Sequence, residues 1–395
     1  MKEICPECSG KPINHGVAKT TAAMEAFVRF TGKPFMGSFS SFSIFFDKLF
    51  PIAFRFCSLI GIGNITHVSD SKDSVRTHCL WESARKRNIM MHQFRLFNQP
   101  LNMFIAEHNG ERIVFEALPR PKYHSLNSGD MDDKGLIKKI FDEHDIPVAL
   151  GKAVFSLAEA KRLFGQLRKP VITKPSLGSH GRHTRIHINS QGELERGFSS
   201  AKRLSPWVIV EEELKGSVYR VALVGGRVIG VLRRDSPTVV GDGKHTIKEL
   251  IHETNAHPWR VGNFHKIEIT DFVRRELAYQ NLSLDSRPAR GRKIMLHPKV
   301  GRTQGGTNAN VTKHVHPENI KMFERIASAL EDSLVGVDFI IEDIAQSWKE
   351  QDRSGVIECN SAPFLDLHHF PYAGEPIDAM GELWKIVFPN SKLSV

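Results

Sequence analysis

Two groups of residues in this sequence have side-chain types and a spacing that suit phosphate and metal chemistry. The first is a lysine followed by a glycine-containing loop. Lys174 stands at the end of an apolar stretch, and a run of small residues with Gly178 and Gly181 follows it. Lysine supplies a positive charge, and glycine lets backbone N–H groups approach phosphate oxygens. The Walker signature is absent from this loop, because no Gly-Lys-Ser/Thr run follows the glycines. The segment alone is as typical of a surface turn as of a phosphate site.

The second kind is a set of oxygen-bearing side chains late in the chain. Glu358 and Asn360 are two residues apart on a predicted strand, so both side chains point to one face. Asp338, on another predicted strand, could join them. Carboxylate and amide oxygens suit Mg²⁺, and burying such carboxylates without a cation would be costly. Together they predict a magnesium site, although either segment alone is also typical of paired surface acids.

A third segment could hold a nucleotide base. Residues 207–210 form a short apolar run that leads directly into Glu211. An exposed strand edge there could pair with adenine, with the glutamate accepting from the exocyclic amine. The alternative is an edge strand that merely ends in charged residues.

The elements that must position these groups follow from hydrophobic periodicity and turn residues. Strands and helices are intermixed, with several antiparallel hairpins, which predicts the α+β class. A capping box at Ser156 and Glu159 predicts a helix start. The predicted helices span 131–144, 157–167 and 317–334; the predicted strands span 146–149, 170–174, 208–211, 335–342 and 356–359; and the predicted hairpins span 101–115 and 218–232, with turns at Asn109-Gly110 and Gly225-Gly226.

Composition narrows the class of protein. The chain has 395 residues, 41% of them hydrophobic, and a formal net charge of +10, which is ordinary for a globular enzyme with an affinity for anions. No signal-peptide core begins the chain, and charged residues interrupt the apolar stretch 42–63. That stretch is more typical of a buried helical face than of a membrane-surface helix. Five cysteines, an odd number, favour reduced thiols and a cytoplasmic protein.

Cys5 and Cys8 have half of a zinc-site spacing. A structural zinc site needs four ligands, and there is no second Cys-x-x-Cys pair. The fold would have to bring further ligands from the set His15, Cys57, His78 and Cys79. The sequence alone favours reduced thiols near a terminus over zinc.

The order and spacing of these segments resemble the ATP-grasp fold over residues 131–371. Within that fold the sequence is most similar to the ATP-grasp part of cyanophycin synthetases, and more distantly to glutathione synthetase and D-alanine–D-alanine ligase. The most specific marks are residues 239–251 (VVGDGKHTIKELI), 305–307 (GGT), 315–319 (VHPEN) and 357–363 (IECNSAP). The resemblance implies two α+β subdomains that clasp ATP, at 126–206 and 207–395. Residues 1–125, an N-terminal domain of uncertain fold, lie outside it.

The resemblance also implies a role for each matching residue. Lys134 and Lys174 would hold the ATP phosphates, and His180, Gly181 and Arg182 would lie in a loop that closes over them. Glu211 and the backbone near Leu214 would hold adenine. Arg220 would stabilise an acyl phosphate. One or two Mg²⁺ ions would be bound by Asp338, Glu358 and Asn360.

Three departures from the family pattern concern the ribose and the acceptor side. Val218 stands where the family usually has an acid that contacts ribose, and Glu213 could substitute for it. Residues 301–303 replace the usual Asn-Leu-Ser, and Phe364 stands where glycine is usual. These changes put the substrate in doubt more than the use of ATP.

The resemblance implies an ATP-dependent ligase that activates a carboxylate as an acyl phosphate and joins it to an amine. An acidic carboxylate, as of an amino acid or peptide, would suit the positive charge. The alternatives are an ATP-grasp kinase that phosphorylates a small molecule without ligation, and a non-catalytic basic protein that binds nucleotide or nucleic acid. Stacking aromatics interleaved with basic residues are not evident, which argues against nucleic acid. We expect a homo-oligomer and no membrane partner.

Overall fold

The computed structural model describes residues 5, 8, 13–32, 52, 54, 56–120, 131, 133–178, 181–263, 266–391 and 393. His180, the linker at 121–130 and most of the apolar stretch 42–63 lie outside the described residues. Among the helices within these ranges, none has both the length and the apolarity required to cross a bilayer.

The described residues of the N-terminal part include a four-stranded antiparallel sheet and helical segments. Helix α1 spans His15–Gly32 and α2 spans Val75–Arg85; the strands, in sheet order, are β1 (Gly63–Thr66), β2 (Met90–Leu96), β3 (Gln99–His108) and β4 (Glu111–Glu116). The predicted hairpin turn is confirmed: Asn109 and Gly110 both have positive φ, at 48° and 83°, between the paired residues His108 and Glu111.

A second antiparallel sheet carries the loop that follows Lys174. Helix α3 spans Lys134–Glu143, and the sheet contains β5 (Gly151–Val154), β6 (Val171–Pro175), β7 (Arg185–Ile188) and β8 (Val208–Glu212) in the order β5-β8-β6-β7. Helices α4 (Leu157–Gln166) and α5 (Gln191–Ala201) pack on this sheet. The predicted capping box is confirmed, because the Ser156 hydroxyl accepts from the Glu159 N–H while the Glu159 carboxylate accepts from the Ser156 N–H.

The third sheet is the largest in the described chain and carries the acidic residues. Its strands, in the order β13-β10-β9-β14-β15, are Thr307–Asn310, Arg227–Asp235, Ser217–Val224, Leu334–Ile341 and Gly355–Asn360. Helix α9 (Pro317–Ala329) packs on it through Phe323, whose ring meets that of Phe339 edge-on at 5.1 Å. The predicted hairpin is confirmed, with positive φ at both Gly225 and Gly226.

One further pair of strands and five further α-helices are found in the described residues. They are β11 (Thr238–Val240) and β12 (Lys293–Met295), which pair with each other, and the helices α6 (Ile247–Asn255), α7 (Pro258–Asn263), α8 (Asp271–Tyr279), α10 (Asp366–His369) and α11 (Ala379–Val387). Helix α11 packs against the N-terminal part, since the Trp384 indole N–H donates to the Leu80 carbonyl at 3.3 Å. The chain's last helix therefore shares a core with α2 and β3.

Two sequence predictions were wrong in detail. The strand expected at 146–149 is only an isolated bridge between Val148 and Val356, and the strand begins later, at Gly151. Pro147 lacks an N–H, and its carbonyl accepts from the Val356 N–H at 2.8 Å, so this apolar run is buried against β15 rather than in a ladder. The helix expected to reach 334 ends at Ala329, and residue 334 is instead the first residue of β14. The α+β class is confirmed, while the domain boundaries at 125/126 and 206/207 stay predictions.

Candidate functional site

Three charged side chains lie in one row across the third sheet. Antiparallel pairing sets Arg220 of β9 opposite Asp338 of β14, and Asp338 opposite Glu358 of β15. Residues directly opposite each other in a sheet project from the same face. The register therefore brings together Asp338 and Glu358, which the sequence placed on separate strands.

Arg220 forms a two-pronged ion pair with Asp338. Its Nε donates to Asp338 Oδ1 at 2.6 Å and its Nη2 donates to Oδ2 at 2.9 Å. The two side chains are only 6% and 5% exposed. The third nitrogen, Nη1, is buried without a hydrogen-bond partner among the described residues. A donor left over in this position is available to an oxygen of a bound substrate.

The two adjacent carboxylates titrate in opposite directions. Burial raises the pKa of Asp338, and the neighbouring Glu358 raises it further against the opposing charge of Arg220. Burial would also raise the pKa of Glu358, but Lys134 and Arg220 lower it to about 2. Glu358 raises the pKa of Asp338 because two adjacent carboxylates repel each other, and a divalent cation between them would remove that repulsion.

Asn360 completes a donor set that fits Mg²⁺. It follows Glu358 by two residues on β15 and pairs with Gly336, so its side chain shares the face of the acidic pair. Its Nδ2 is buried and has no hydrogen-bond partner in the described part of the chain. An all-oxygen set of two carboxylates and one amide is the kind that Mg²⁺ prefers.

Two predicted phosphate-binding lysines approach this row from the other side. Lys134 begins α3 next to its N-cap Asp133, and its Nζ lies 3.7 Å from Glu358 Oε2 and 2.8 Å from the Gly178 carbonyl oxygen. Lys174, at the end of β6, donates to the Ile357 carbonyl at 3.3 Å. One cavity is lined by both lysines and Glu358, together with Met131, Ile137, Lys138, Val148, Glu211, Val356, Ile357 and Cys359.

Glu211 is the anion of a second charged centre in this cavity. Its Oε1 lies 2.6 Å from Lys174 Nζ, and its Oε2 lies 2.6 Å from Lys138 Nζ. Burial would raise the pKa of Glu211, but the two lysines outweigh it and lower the pKa. Its role at adenine stays a prediction; the contacts made by its carboxylate fix the positions of two lysines.

Lys138 is a residue that the sequence reasoning missed. It follows Lys134 by four residues on α3, so the two lie one helical turn apart on the same face. That spacing was the signal that could have found it. Burial lowers the pKa of Lys138, and Glu211 opposes this effect.

The remaining predicted site residues make their described contacts elsewhere. Arg182 Nε donates to the Cys8 carbonyl at 3.4 Å. Glu213 Oε1 lies 2.8 Å from His187 Nδ1. Gly181 has a φ of 60°, in the left-handed region that glycine favours, and Leu214 follows β8. Their roles at ATP stay predictions.

A group of arginines beyond Arg220 was also missed. Arg234 of β10 is partly buried; its burial lowers its pKa, which the negative charge of Asp338 opposes. Arg302 pairs with Asp366 at 2.5 Å, and its guanidinium lies 5.1 Å from the centre of the Phe364 ring. Arg76, from the N-terminal part, lies 5.4 Å from the same ring. Phe364, where glycine was expected, thus lies in contact with both Arg76 of α2 and Arg302.

Comparison with known proteins places this arrangement in a known fold. No protein-family model matches the chain. Its structure superimposes on a bifunctional glutathione synthetase from Pasteurella multocida with a TM-score of 0.61 and 25% sequence identity, over 80% of this chain and 44% of that one. The chain has the ATP-grasp fold. The superposition confirms the fold that the sequence motifs predicted.

Sequence relatives agree with the structural match. The ATP-grasp chain is 32% identical over 268 residues to the cyanophycin synthetase of Trichormus variabilis, which is 66% of this chain and 29% of that protein. It is 29% identical over 321 residues to the glutathione biosynthesis bifunctional protein of Clostridium perfringens, which is 79% of this chain and 41% of that protein. The chain thus spans less than half the length of these curated relatives.

Proposed function

We propose that this ATP-grasp chain is an ATP- and Mg²⁺-dependent carboxylate–amine ligase that works through an acyl phosphate. The observation that carries the proposal is the row of Arg220, Asp338 and Glu358, whose Glu358 lines one cavity together with Lys134 and Lys174. Cations on one side and metal-binding carboxylates on the other suit the transfer of a phosphoryl group. The relatives' names, which are those of synthetases, support the same reaction class.

The lysine side would hold the triphosphate. Lys134 and Lys174 would donate to its oxygens as point charges. Glu211 and Lys138 would keep Lys174 from collapsing onto Glu358 before the nucleotide binds, because Glu211 holds the Lys174 ammonium at 2.6 Å. Gly181 and Arg182 belong to the loop that would cover the phosphates and exclude water, which protects an acyl phosphate from hydrolysis.

The carboxylate side would hold the metal. Asp338, Glu358 and Asn360 would bind one or two Mg²⁺ ions, which when bound supply positive charge to the phosphate oxygens. Arg220 is held by Asp338 through two nitrogens. Its unpartnered Nη1 would donate to the oxygen that becomes negative as the amine attacks the acyl phosphate.

The acceptor side supports an acidic carboxylate substrate. Arg220, Arg234 and Arg302 are close enough for their charges to affect one another, since Arg220 and Arg302 both lower the pKa of Arg234, in addition to its burial, and Asp338 opposes them. Three guanidinium groups on one side of a site attract a substrate with more than one carboxylate, such as an acidic amino acid or a peptide.

A screen of substrate pairs tests this proposal. Amino acids and short acidic peptides are offered in pairs with amines, and ADP release is measured in the presence of Mg²⁺. A productive pair should release ADP only when both substrates are present, and one ¹⁸O of the labelled carboxylate should appear in the released phosphate. Phosphorylated product that accumulates without an amine would instead indicate a kinase.

Two variants test the residues. Lys174→Ala and Glu358→Ala should lower substrate-dependent ADP release by about 10²-fold or more while leaving the circular dichroism spectrum unchanged. Lys161→Ala is the matched control, because Lys161 forms an exposed ion pair with Glu195 outside the site. Full turnover by either site variant would overturn the assignment. Binding of ATP without turnover for any pair would favour the non-catalytic alternative.

A further inference from the structure

The N-terminal cysteines meet two histidines that are distant in sequence. Cys5, Cys8, His15 and His183 each offer one ligand atom, and these four atoms all lie within 4.8 Å of one another. Cys8 Sγ lies 3.1 Å from His15 Nε2 and 3.4 Å from His183 Nε2, and Cys5 Sγ lies 3.7 Å from His183 Nε2. His183 is 175 residues away from Cys8 in sequence, so only the fold brings it there.

These spacings fit a tetrahedral metal site. Zinc bonds of about 2.3 Å to sulfur and about 2.0 Å to nitrogen, at tetrahedral angles, place a sulfur and a nitrogen ligand roughly 3.6 Å apart. The cysteine pair is also held in a turn, because the Cys8 N–H donates to the Cys5 carbonyl at 3.0 Å. Two thiolates and two imidazoles are a ligand set that favours zinc over hard cations such as Mg²⁺.

The neighbours of His183 orient its ring for a metal. Its Nδ1 lies 3.0 Å from the Ser200 carbonyl oxygen and 3.0 Å from the Ser200 hydroxyl oxygen. The carbonyl can only accept, and a proton on Nδ1 directed at it would leave Nε2 unprotonated on the side of the sulfurs. A backbone carbonyl in this role is the usual outer partner of a zinc-bound histidine. His183 is 1% exposed and has a φ of 54°, an uncommon conformation for a residue other than glycine.

We propose that Cys5, Cys8, His15 and His183 form a structural zinc site. The site would tie the segment before α1 to the loop between β6 and β7, directly after Arg182. Of the further ligands that the sequence suggested for Cys5 and Cys8, His15 belongs to the cluster. Cys79 instead lies in the hydrophobic core beside Leu80, and His78 contacts Ser69. The missing ligand is His183, which no local spacing could reveal.

Metal binding would alter one existing contact. Arg203 Nη2 lies 3.1 Å from His15 Nδ1, and a guanidinium can only donate. Ligation through Nε2 leaves the ring proton on Nδ1, so we expect Arg203 to move away from His15 when zinc binds. The two thiolates then balance the charge of Zn²⁺.

The first test is the metal content of the full-length protein, purified under reducing conditions without chelators. Mass spectrometry of metals should find about one zinc per chain. The Cys8→Ser and His183→Gln variants should each lose most of the zinc. The controls Cys57→Ser and His252→Gln, which change residues outside the cluster, should retain it. Zinc-free wild-type protein, or zinc retained by both site variants, would overturn the proposal.

A second test does not depend on whether the variants fold. Wild-type protein stripped with a chelator is titrated with Co²⁺, which should give sulfur-to-cobalt charge-transfer absorption and the intense visible bands of a tetrahedral site. Zinc should then displace the cobalt and raise the thermal unfolding temperature. Absence of these bands, or a Cys5–Cys8 disulfide that persists under the reducing conditions, would contradict the site.

Discussion

Two anionic centres meet at the cavity, through Glu211 and Glu358, and they differ in charge balance. Glu211 has one carboxylate and two lysines, each 2.6 Å from one of its oxygens, and they lower its pKa despite complete burial. Asp338 and Glu358 are two carboxylates beside one guanidinium, Arg220, and one lysine, Lys134, and the pKa of Asp338 is raised by burial and by its neighbour. In the first centre cations outnumber carboxylates, whereas in the second two adjacent carboxylates repel each other.

Under the proposed function, this difference would let one fold hold a nucleotide and a metal at separate sites. A buried carboxylate that already has its cations competes poorly for a metal, so Glu211 would act on the lysines. A pair of adjacent carboxylates would instead bind a hard cation whose remaining ligands are phosphate oxygens. Because the two centres differ, the same kind of substitution should have a different effect on activity in each of them.

The largest effect should come from neutralising one carboxylate in each centre. Glu358→Gln should lower Mg²⁺-dependent turnover by about 10³-fold or more, because it removes a proposed metal ligand. Glu211→Gln should lower turnover less, since it weakens the ion pair that holds Lys174 but does not remove a proposed metal ligand. Initial rates over a range of Mg²⁺ concentrations measure both, and equal losses with equal Mg²⁺ dependence would show that the two centres do not differ in this way.

A smaller difference should separate the two lysines that share Glu211. Lys174→Met should cost about 10²-fold in kcat/KM for ATP, because this ammonium also faces Glu358 across the cavity. Lys138→Met should cost about tenfold, since it only positions Glu211. Steady-state kinetics with ATP varied separates them, with Lys161→Met as the control. A larger loss for Lys138 than for Lys174 would reverse the assigned roles.

A buried histidine beside Arg220 gives a pH-dependent comparison. Burial, and then the charge of Arg220, lower the pKa of His368 from 6.5 to about 3, and both its ring nitrogens lack a partner among the described residues. The unfolded chain therefore takes up a proton as pH falls below 6.5, and the folded chain does not. Stability that is complete above pH 6.5 should fall by about 2 kcal/mol between pH 7 and pH 5 from this residue alone.

Urea unfolding at the two pH values measures this change. Glu358 titrates lower, at about 2, and so contributes little in this window. Other histidines with lowered pKa add to the wild-type slope, His297 among them, so the comparison is made with His368→Asn. The variant should show a shallower loss of stability, and an unchanged slope would mean that His368 is not the buried neutral group described.

The smallest effect should come from the acceptor side. Phe364→Gly restores the residue usual in the family and removes the ring between Arg76 and Arg302. We expect the KM for the carboxylate substrate to rise about threefold, in keeping with cation–π contacts of about 0.5–1 kcal/mol, while the KM for ATP stays the same. A change confined to ATP would place Phe364 with the nucleotide instead.

The sequence predicted that Asp338, Glu358 and Asn360 lie together because the pattern that joins them is local; their role at a metal stays a prediction. Glu358 and Asn360 share a face through strand periodicity alone, and Asp338 needed only one neighbouring strand. The strand at 146–149 was predicted wrongly because an apolar run with a proline can be buried without joining a ladder. Arg234, Arg302 and His183 were missed because their partners lie far away in the chain, where no spacing links them.

The N-terminal part shows the same limit on a larger scale. Its hairpin was predicted from Asn109-Gly110, a local turn signal. Its contacts with the rest of the chain, through Arg76 with Phe364 and Leu80 with Trp384, depend on side chains that carry no sequence signature. Pairings of this kind follow from the tertiary fold.

The most direct measurement of the central claim is Mn²⁺ binding, followed by electron paramagnetic resonance with and without ATP. Wild-type protein should bind Mn²⁺ at least about tenfold more tightly when ATP is present, because protein carboxylates and phosphate oxygens share the ion. Asp338→Asn and Glu358→Gln should each remove that gain, whereas Glu211→Gln should keep it. An ATP-dependent gain that survives in both Asp338 and Glu358 variants would contradict a metal site at this row.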